Sequence, residues 1–433
     1  MDYTIAKGAF DIVPFEKEEE DKWRESGRWQ YLETVLRKTA DDYGFKEIRT
    51  PIFERTELFV RSVGEGTDIV SKEMYTFIDK GERSLTLRPE GTAPSMRAFV
   101  EKKLYAQSGL FKYYYLGPMF RYERPQAGRY RQYHQFGAEA LGNTSPEQDV
   151  ELIDMMWEIY RRLGLKNLTL CINSVGDSQS RSDYKKALLD YLTPFFAELS
   201  ADSQDRFSKN ILRILDSKDP KDKKILSQAP TILNYLHPES KSHFERVLQL
   251  LEGLNIPYKI EPALVRGLDY YNKTVFEITS GELGAQNAIG GGGRYDGLTA
   301  ALGGPDLPAV GFATGIERLL QTMLKQNAPF PDPPHPFIFL IPLGTKGLEF
   351  CFPLLCRLRH EGIPAEMDFS AKKIQHGLSL ANALSAEYAV IVGDNELSSN
   401  RTAVKNMQTR ESEDVSLEAL FAYIKKLLDR KRG

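Results

Sequence analysis

Cysteine is scarce in this chain: Cys171, Cys351 and Cys356 are the three present in 433 residues. They form no C-x-x-C pair, and the six histidines form no H-E-x-x-H. A disulfide framework and a structural zinc site are therefore disfavoured, and Cys351 and Cys356 are expected to share one apolar helix face. No uninterrupted apolar stretch approaches the length of a membrane span, and the opening M-D-Y-T-I-A-K-G has no secretory core, so a cytoplasmic protein is expected. An excess of one charge is lacking too. The formal net charge is −3, which does not announce a nucleic-acid partner. Any such contact must use local patches: Arg121, Arg124, Arg129 and Arg131, then Lys218 to Lys224, Lys372-Lys373, and the tail Arg430-Lys431-Arg432. Each can equally be an ordinary solvated face. There is no G-x-x-x-x-G-K-[ST], which excludes a P-loop, and no internal repeat or low-complexity segment.

The length points to two or three domains, and a hydrophobic content of 41% is that of an ordinary globular protein. Trp29, Leu32, Leu36 and Tyr43 fall at helical intervals before Gly44. The strand E-I-R-T-P-I-F-E follows, and its Pro51 predicts an edge or a bend. M-Y-T-F-I-D and S-L-T-L-R-P-E flank Lys80-Gly81-Glu82 as a hairpin. Strands are read at Phe111 to Leu116 and Arg131 to Leu141, and a helix opens at Ser145-Pro146 with a capping residue, N1 proline and Gln148 in order. Short strands in succession indicate an antiparallel sheet. Residues from about Val175 to Leu254 read as a charged helical insertion broken by Pro220, Pro230 and Pro238. From Asn327 to Pro336 half the residues are proline, a stiff linker. Beyond it, F-I-F-L-I-P, a helix near Leu348 to His360, and A-V-I-V-G alternate as in a small α/β domain.

Four segments carry the chemistry. L-V-R-G-L-D-Y-Y, Leu264 to Tyr271, sets the permanent cation Arg266 beside a glycine and two tyrosines, a set suited to an anionic and aromatic ligand. Gly267 at a bulge with both rings in the sheet is the structural alternative. Gly117 to Glu139 reads G-P-M-F-R-Y-E-R-P-Q-A-G-R-Y-R-Q-Y-H-Q-F-G-A-E, two strands crowded with cations and aromatics. In it Tyr133, Gln135 and Glu139 share one sheet face across Gly137, and a cross-strand charge ladder is the plainer alternative. A-I-G-G-G-G-R-Y-D-G-L, followed by G-F-A-T-G-I-E-R-L at Gly311 to Leu319, suits a backbone closely approached by ligand, although Gly290 to Gly293 can also be a mere flexible loop. T-L-R-P-E-G-T, Thr86 to Thr92, ends a strand and begins a helix, where Glu90 also suits a first-turn carboxylate.

Together these segments resemble the histidyl-tRNA synthetase family, and the likeness runs from G-A-F-D-I-V-P near the start to the C-terminal domain. L-V-R-G-L-D-Y-Y looks like that family's histidine-specific signature. The helix and Pro51 strand resemble motif 1 of the class II aminoacyl-tRNA synthetases, F-R-Y-E with its R-P-Q loop resembles motif 2, and G-x-x-x-G-I-E-R-L resembles motif 3. The resemblance implies an α+β fold: an antiparallel six-stranded catalytic sheet with flanking helices over residues 1–326, the insertion at about 175–254, a linker at 327–336 and an α/β anticodon-binding domain at 337–433. It implies a homodimer that joins L-histidine to tRNA(His) through histidyl-adenylate, using ATP with Mg2+. For histidine it implies Glu90, Gly91, Thr92, Arg121, Gln135, Glu139, Arg266, Tyr270 and Tyr271. For ATP it implies Arg121, Glu123, Arg129, Tyr133 and Arg318, with Arg121 and Arg266 catalytic at the α-phosphate. The metal ligands stay unassigned. The competing expectation is a non-catalytic histidine-sensing paralogue, the regulatory subunit of ATP phosphoribosyltransferase. Against it stand the intact Arg121, Arg129 and Arg318 set and the domain after Pro336.

Overall fold

In the computed structural model, which describes residues 3–64, 67–107, 110–123, 128–265, 268, 270–281, 288–370 and 373–432, the first long helix runs Ser26–Asp42 and buries Trp29, Leu32 and Leu36. Gly44, at φ +77, turns the chain out of it. β1 (Lys46–Glu47) and β2 (Phe53–Arg55) lie on either side of Pro51, and they belong to different sheets. The proline thus breaks the segment rather than edging a single strand. β3 (Tyr75–Ile78) and β4 (Ser84–Leu87) form the expected hairpin. Its turn is closed by Asp79, which accepts from the backbone N–H groups of Gly81 and Arg83 at 2.8 and 2.9 Å.

The remaining strands of the first part are β5 (Phe111–Phe120), β6 (Gln132–Leu141), β7 (Leu168–Ser174), β8 (Tyr258–Ile260), β9 (Asn272–Ser280), β10 (Ala288–Arg294) and β11 (Ala309–Gly315). They build a sheet in the order β1-β5-β6-β11-β10-β9-β7-β8. This corrects the expected six-stranded antiparallel sheet: it has eight strands and is mixed, because β1 runs parallel to β5 and β8 parallel to β7. The pairings from β5 through to β7 are antiparallel. Strands of two or three residues are too short for any hydrophobic period to register, which is why the parallel edges escaped the sequence.

Alternation along β6 sorts its residues cleanly. Phe136, Ala138 and Ala140 enter the main core with Leu32, Leu36, Ile153, Met156 and Leu319 from the helices Ser26–Asp42, Pro146–Arg162 and Ile316–Lys325. Tyr133, Gln135, Gly137 and Glu139 take the opposite face. At the start of helix Pro146–Arg162, Pro146 stands at N1 as expected, but the Ser145 side chain makes no capping bond.

Between β7 and β8 lie the helices Ser178–Leu192, Ala201–Lys209, Pro220–Leu226 and Pro238–Gly253. Pro220 and Pro238 open their helices, where a missing N–H costs nothing. Asp222 gathers the Ser200, Ser203 and Ser217 hydroxyls, each at 2.6 Å, and these bonds hold its pKa at about 2. The segment leaves the sheet after β7 and rejoins it at β8, the strand paired with β7, and its exit is tied to β9: Val175 N donates to Lys273 O (2.7 Å), and Lys273 N donates to Gly176 O (2.9 Å). A buried charge cluster fastens it below. Asp149 accepts from Arg294 Nε (3.0 Å) and Thr274 Oγ1 (2.6 Å), with His243 Nε2 from helix Pro238–Gly253 at 2.7 Å.

The chain divides into two compact units, Met1–Pro331 and Asp332–Gly433. In the second, β12 (Ile338–Pro342), β13 (Ala365–Met367), β14 (Tyr388–Val392), β15 (Arg401–Asn406) and β16 (Ser412–Ser416) form a sheet ordered β13-β12-β14-β15-β16. β12 is parallel to β13 and β14 and buried along its whole length, as its unbroken apolar run requires. Cys351, on helix Gly344–His360, is buried in this unit's core, whereas Cys356 is only half-buried. Among the described residues no helix is long and apolar enough to cross a membrane.

Candidate active site

The short run Arg88-Pro89-Glu90-Gly91 joins β4 to the helix Thr92–Glu101. Glu90 is buried there, and its two carboxylate oxygens accept from the backbone N–H groups of Thr92 (2.7 Å) and Ala93 (2.8 Å). It therefore does cap the helix start, and its remaining lone pairs stay available to a cation. Burial raises its pKa.

Glu139 lies deeper. Its Oε1 accepts from Thr92 Oγ1 at 2.7 Å, and its Oε2 accepts from the hydroxyl of Tyr295. It is 1% exposed, and burial pushes its pKa up to about 8 against those two bonds. Three glycines make the seat. A Cβ at Gly311, which pairs with Glu139 across β11 and β6, would overlap the Glu139 carboxylate. A Cβ at Gly137 or at Gly91 would overlap the ring of Tyr115. Tyr270 closes the group with its ring centroid 4.7 Å from Tyr271 and 5.5 Å from Tyr295. Arg181 of the insertion donates to the carbonyl of Tyr271 at 2.7 Å. Gln135, on the same strand face, keeps a buried Oε1 that finds no hydrogen-bond partner among the described residues. Buried acceptors are rarely left so, and this one suits a donor on a ligand.

Next to this cluster is an open cleft bordered by Arg121, Tyr133, Gln135, Gly290 and Arg318. Arg121 Nε and the Tyr133 hydroxyl both donate to the carbonyl of Pro89, at 2.9 and 2.8 Å. The Arg121 guanidinium lies 5.6 Å from the Tyr133 ring centroid. Arg129 and Glu123, also on the cleft wall, pair with each other at 3.0 Å. Arg318 reaches the carbonyls of Ala288 (2.6 Å) and Gly128 (3.3 Å). Its neighbour Glu317 is buried and accepts from the backbone N–H of His134 at 2.8 Å.

The geometry thus gathers Glu90, Gly91, Thr92, Glu139, Tyr270 and Tyr271 in one cluster, with Arg121, Glu123, Arg129, Tyr133, Gln135 and Arg318 on the cleft beside it. Arg266, with Gly267, Asp269 and Arg124, lies outside the described residues. The glycine run is no loop: Gly290 to Gly293 belong to β10, and Gly292 and Gly293 are required by the neighbouring backbones of β11 and β9. Sequence reasoning missed Tyr115 and Tyr295, which reach Glu139 from β5 and from just past the end of β10. Tyr295 had a signal in the G-R-Y-D-G that follows the glycines. Tyr115 had only its place on a strand.

A largely antiparallel sheet carrying a cationic cleft across its middle strands, flanked by a strand-to-helix loop that offers a carboxylate, is the catalytic fold of a class II aminoacyl-tRNA synthetase. The family model for histidyl-tRNA synthetase matches residues 20–319, and that for an anticodon binding domain matches 338–427. The chain is 55% identical to a histidine–tRNA ligase of Protochlamydia amoebophila, over 98% of this chain and 100% of the relative. It is 47% identical to that of Bacillus subtilis, over 98% and 99%. The crystal structure of apo S. aureus histidyl-tRNA synthetase aligns with a TM-score of 0.82 at 40% identity, covering 98% of this chain and 100% of that one. The chain belongs to the histidyl-tRNA synthetase family.

Proposed function

We propose that the pocket and the cleft beside it bind histidine and ATP side by side and join them as histidyl-adenylate. The overall activity, ligation of histidine to tRNA, follows from family membership at 47–55% identity over the full length. In the first step a carboxylate oxygen of histidine bonds to the α-phosphorus of ATP as the bond to pyrophosphate breaks. In the second, a hydroxyl of the terminal ribose of tRNA(His) attacks the activated carbonyl and AMP leaves. Neither step needs a side-chain nucleophile, so the protein contributes position and charge.

Glu90 and Thr92 hold the α-amino group, Gln135 completes its contacts, and Glu139 meets the imidazole under Tyr270, Tyr271 and Tyr295. Arg121 and Arg266 neutralise the α-phosphate. Tyr133 stacks on adenine, Arg318 meets the γ-phosphate, and Glu123 and Arg129 part from each other to take the adenine amino group and the outer phosphates. Magnesium enters as part of the MgATP substrate. The observation that carries the reading is the unpartnered Gln135 Oε1 on the same strand face as buried Glu139, at the edge of the cleft. The anticodon-type unit and the insertion both serve tRNA, and the place of work is the cytoplasm. A homodimer forms through the sheet β2-β4-β3, whose Phe53 and Phe77 stand 52% and 44% exposed beside Ile52 and Ile78. ATP–pyrophosphate exchange measured with each amino acid in turn tests the reaction: exchange with histidine alone supports it, and exchange with none favours a histidine sensor.

A further inference from the structure

Arg88 lies at the back of the substrate loop, 7% exposed, and its hydrogen bonds among the described residues run to neutral oxygens. Its Nε donates to Pro118 O at 2.9 Å, and its Nη1 donates to Thr50 O at 3.1 Å and to Thr50 Oγ1 at 3.2 Å. Its own backbone is held from both sides: Arg88 N donates to Ile52 O (2.8 Å), and Phe120 N donates to Arg88 O (2.9 Å). One planar fork therefore clamps the segment before β2 to the end of β5. Gly117 leaves the room, since a Cβ there would stand 2.7 Å from Arg88 Nη2.

A buried arginine satisfied by carbonyls is an ordinary way to hold a fold. What sets this one apart is the next residue. The Pro89 carbonyl takes both Arg121 and Tyr133, the groups assigned to ATP, and the residue after it is Glu90, assigned to histidine. Three consecutive residues thus carry the clamp, the nucleotide side and the amino-acid side. A shift of the clamp must move both sides together, because a peptide unit transmits displacement with only two soft torsions per residue.

We propose that Arg88 is a positioning residue that sets the alignment of ATP and histidine through the Pro89 carbonyl. The inference rests on the adenylate-forming reading above. Misplacement of reacting groups by about 1 Å from a distant substitution costs on the order of 10²-fold in rate. Arg88→Lys keeps the charge and loses the fork. In the full chain, at a temperature where the variant is as fully folded as the parent, it is expected to lower ATP–pyrophosphate exchange by about 10²-fold and to raise the KM for ATP and for histidine together. In Arg88→Ala, added guanidinium is expected to restore part of the rate. Exchange at the parental rate in the lysine variant, a KM change confined to one substrate, or a loss that merely tracks loss of folded protein overturns the proposal. A parental protein that fails to exchange with histidine overturns the adenylate reading instead, and the inference with it.

Discussion

Glu139 occupies a place where a carboxylate keeps its proton. Burial raises its pKa to about 8, so between the ordinary carboxylate range and about pH 8 the folded protein holds a proton that the unfolded chain has lost. The folded state binding more protons means that stability from this group falls as pH rises across that window and levels off above it. Thermal denaturation of the parent and of Glu139→Gln should diverge across that window, the variant showing the flatter pH dependence. The same substitution also replaces the protonated carboxyl that faces the proposed imidazole by an amide. A bond to the protonated group is neutral, and with such bonds contributing about 0.5–1.5 kcal/mol the KM for histidine should rise about 2- to 10-fold while that for ATP stays near the parental value. Equal losses for both substrates would point to a structural role. The face this residue takes is legible in the sequence, because a strand alternates and Tyr133, Gln135 and Glu139 stand two or four apart. Its partners are not. Thr92, Tyr295 and Gly311 lie 47, 156 and 172 positions away along the chain, and only strand pairing and loop packing bring them to one carboxylate.

Longer periodic elements were legible, and short ones were not. The helix Ser26–Asp42, the hairpin of β3 and β4, and the long pair β5 and β6 follow from period and turn chemistry, whereas β1 and β8 are defined by their neighbours. Equally hidden was the cluster under the insertion, where Asp149 and Arg294 are both fully buried and bound to each other. It ties four elements: helix Pro146–Arg162, β9, β10 and helix Pro238–Gly253. The Arg294 and His243 partners hold the Asp149 pKa below its ordinary value despite burial, so the stability it contributes is present above the usual carboxylate range and is lost as pH falls below it. Removing one partner of a buried pair strands the other charge, and Asp149→Ala is expected to cost about 3–5 kcal/mol in urea unfolding. A cost under about 1 kcal/mol would mean that water or a neighbour replaces the carboxylate.

At the scale of the whole molecule, the two compact units invite separation, and the packing decides where to cut. Phe330 still belongs to the first unit: the Arg28 guanidinium lies 4.5 Å from its ring centroid, and Tyr31 stands 6.1 Å away. A fragment ending at Pro331 should therefore fold, sediment at twice its mass and retain histidine-dependent exchange. Its charging of tRNA should fall steeply, since two linked contact sites bind far better than either alone. Intact charging would show that the second unit does not read tRNA, and a fragment that sediments as a monomer would remove the dimer. The return of the insertion to the strand beside the one it left bears on how such a protein changes over time. The helices between β7 and β8 hang from those adjacent strands as a single long tether, and lengthening a tether costs little, growing only with the logarithm of its length. The insertion is thus free to drift in size and sequence between species without disturbing the sheet. It is not free to drift without a witness, because Arg181 of its first helix holds the carbonyl of Tyr271, so a shift of that helix reaches the rings beside Glu139.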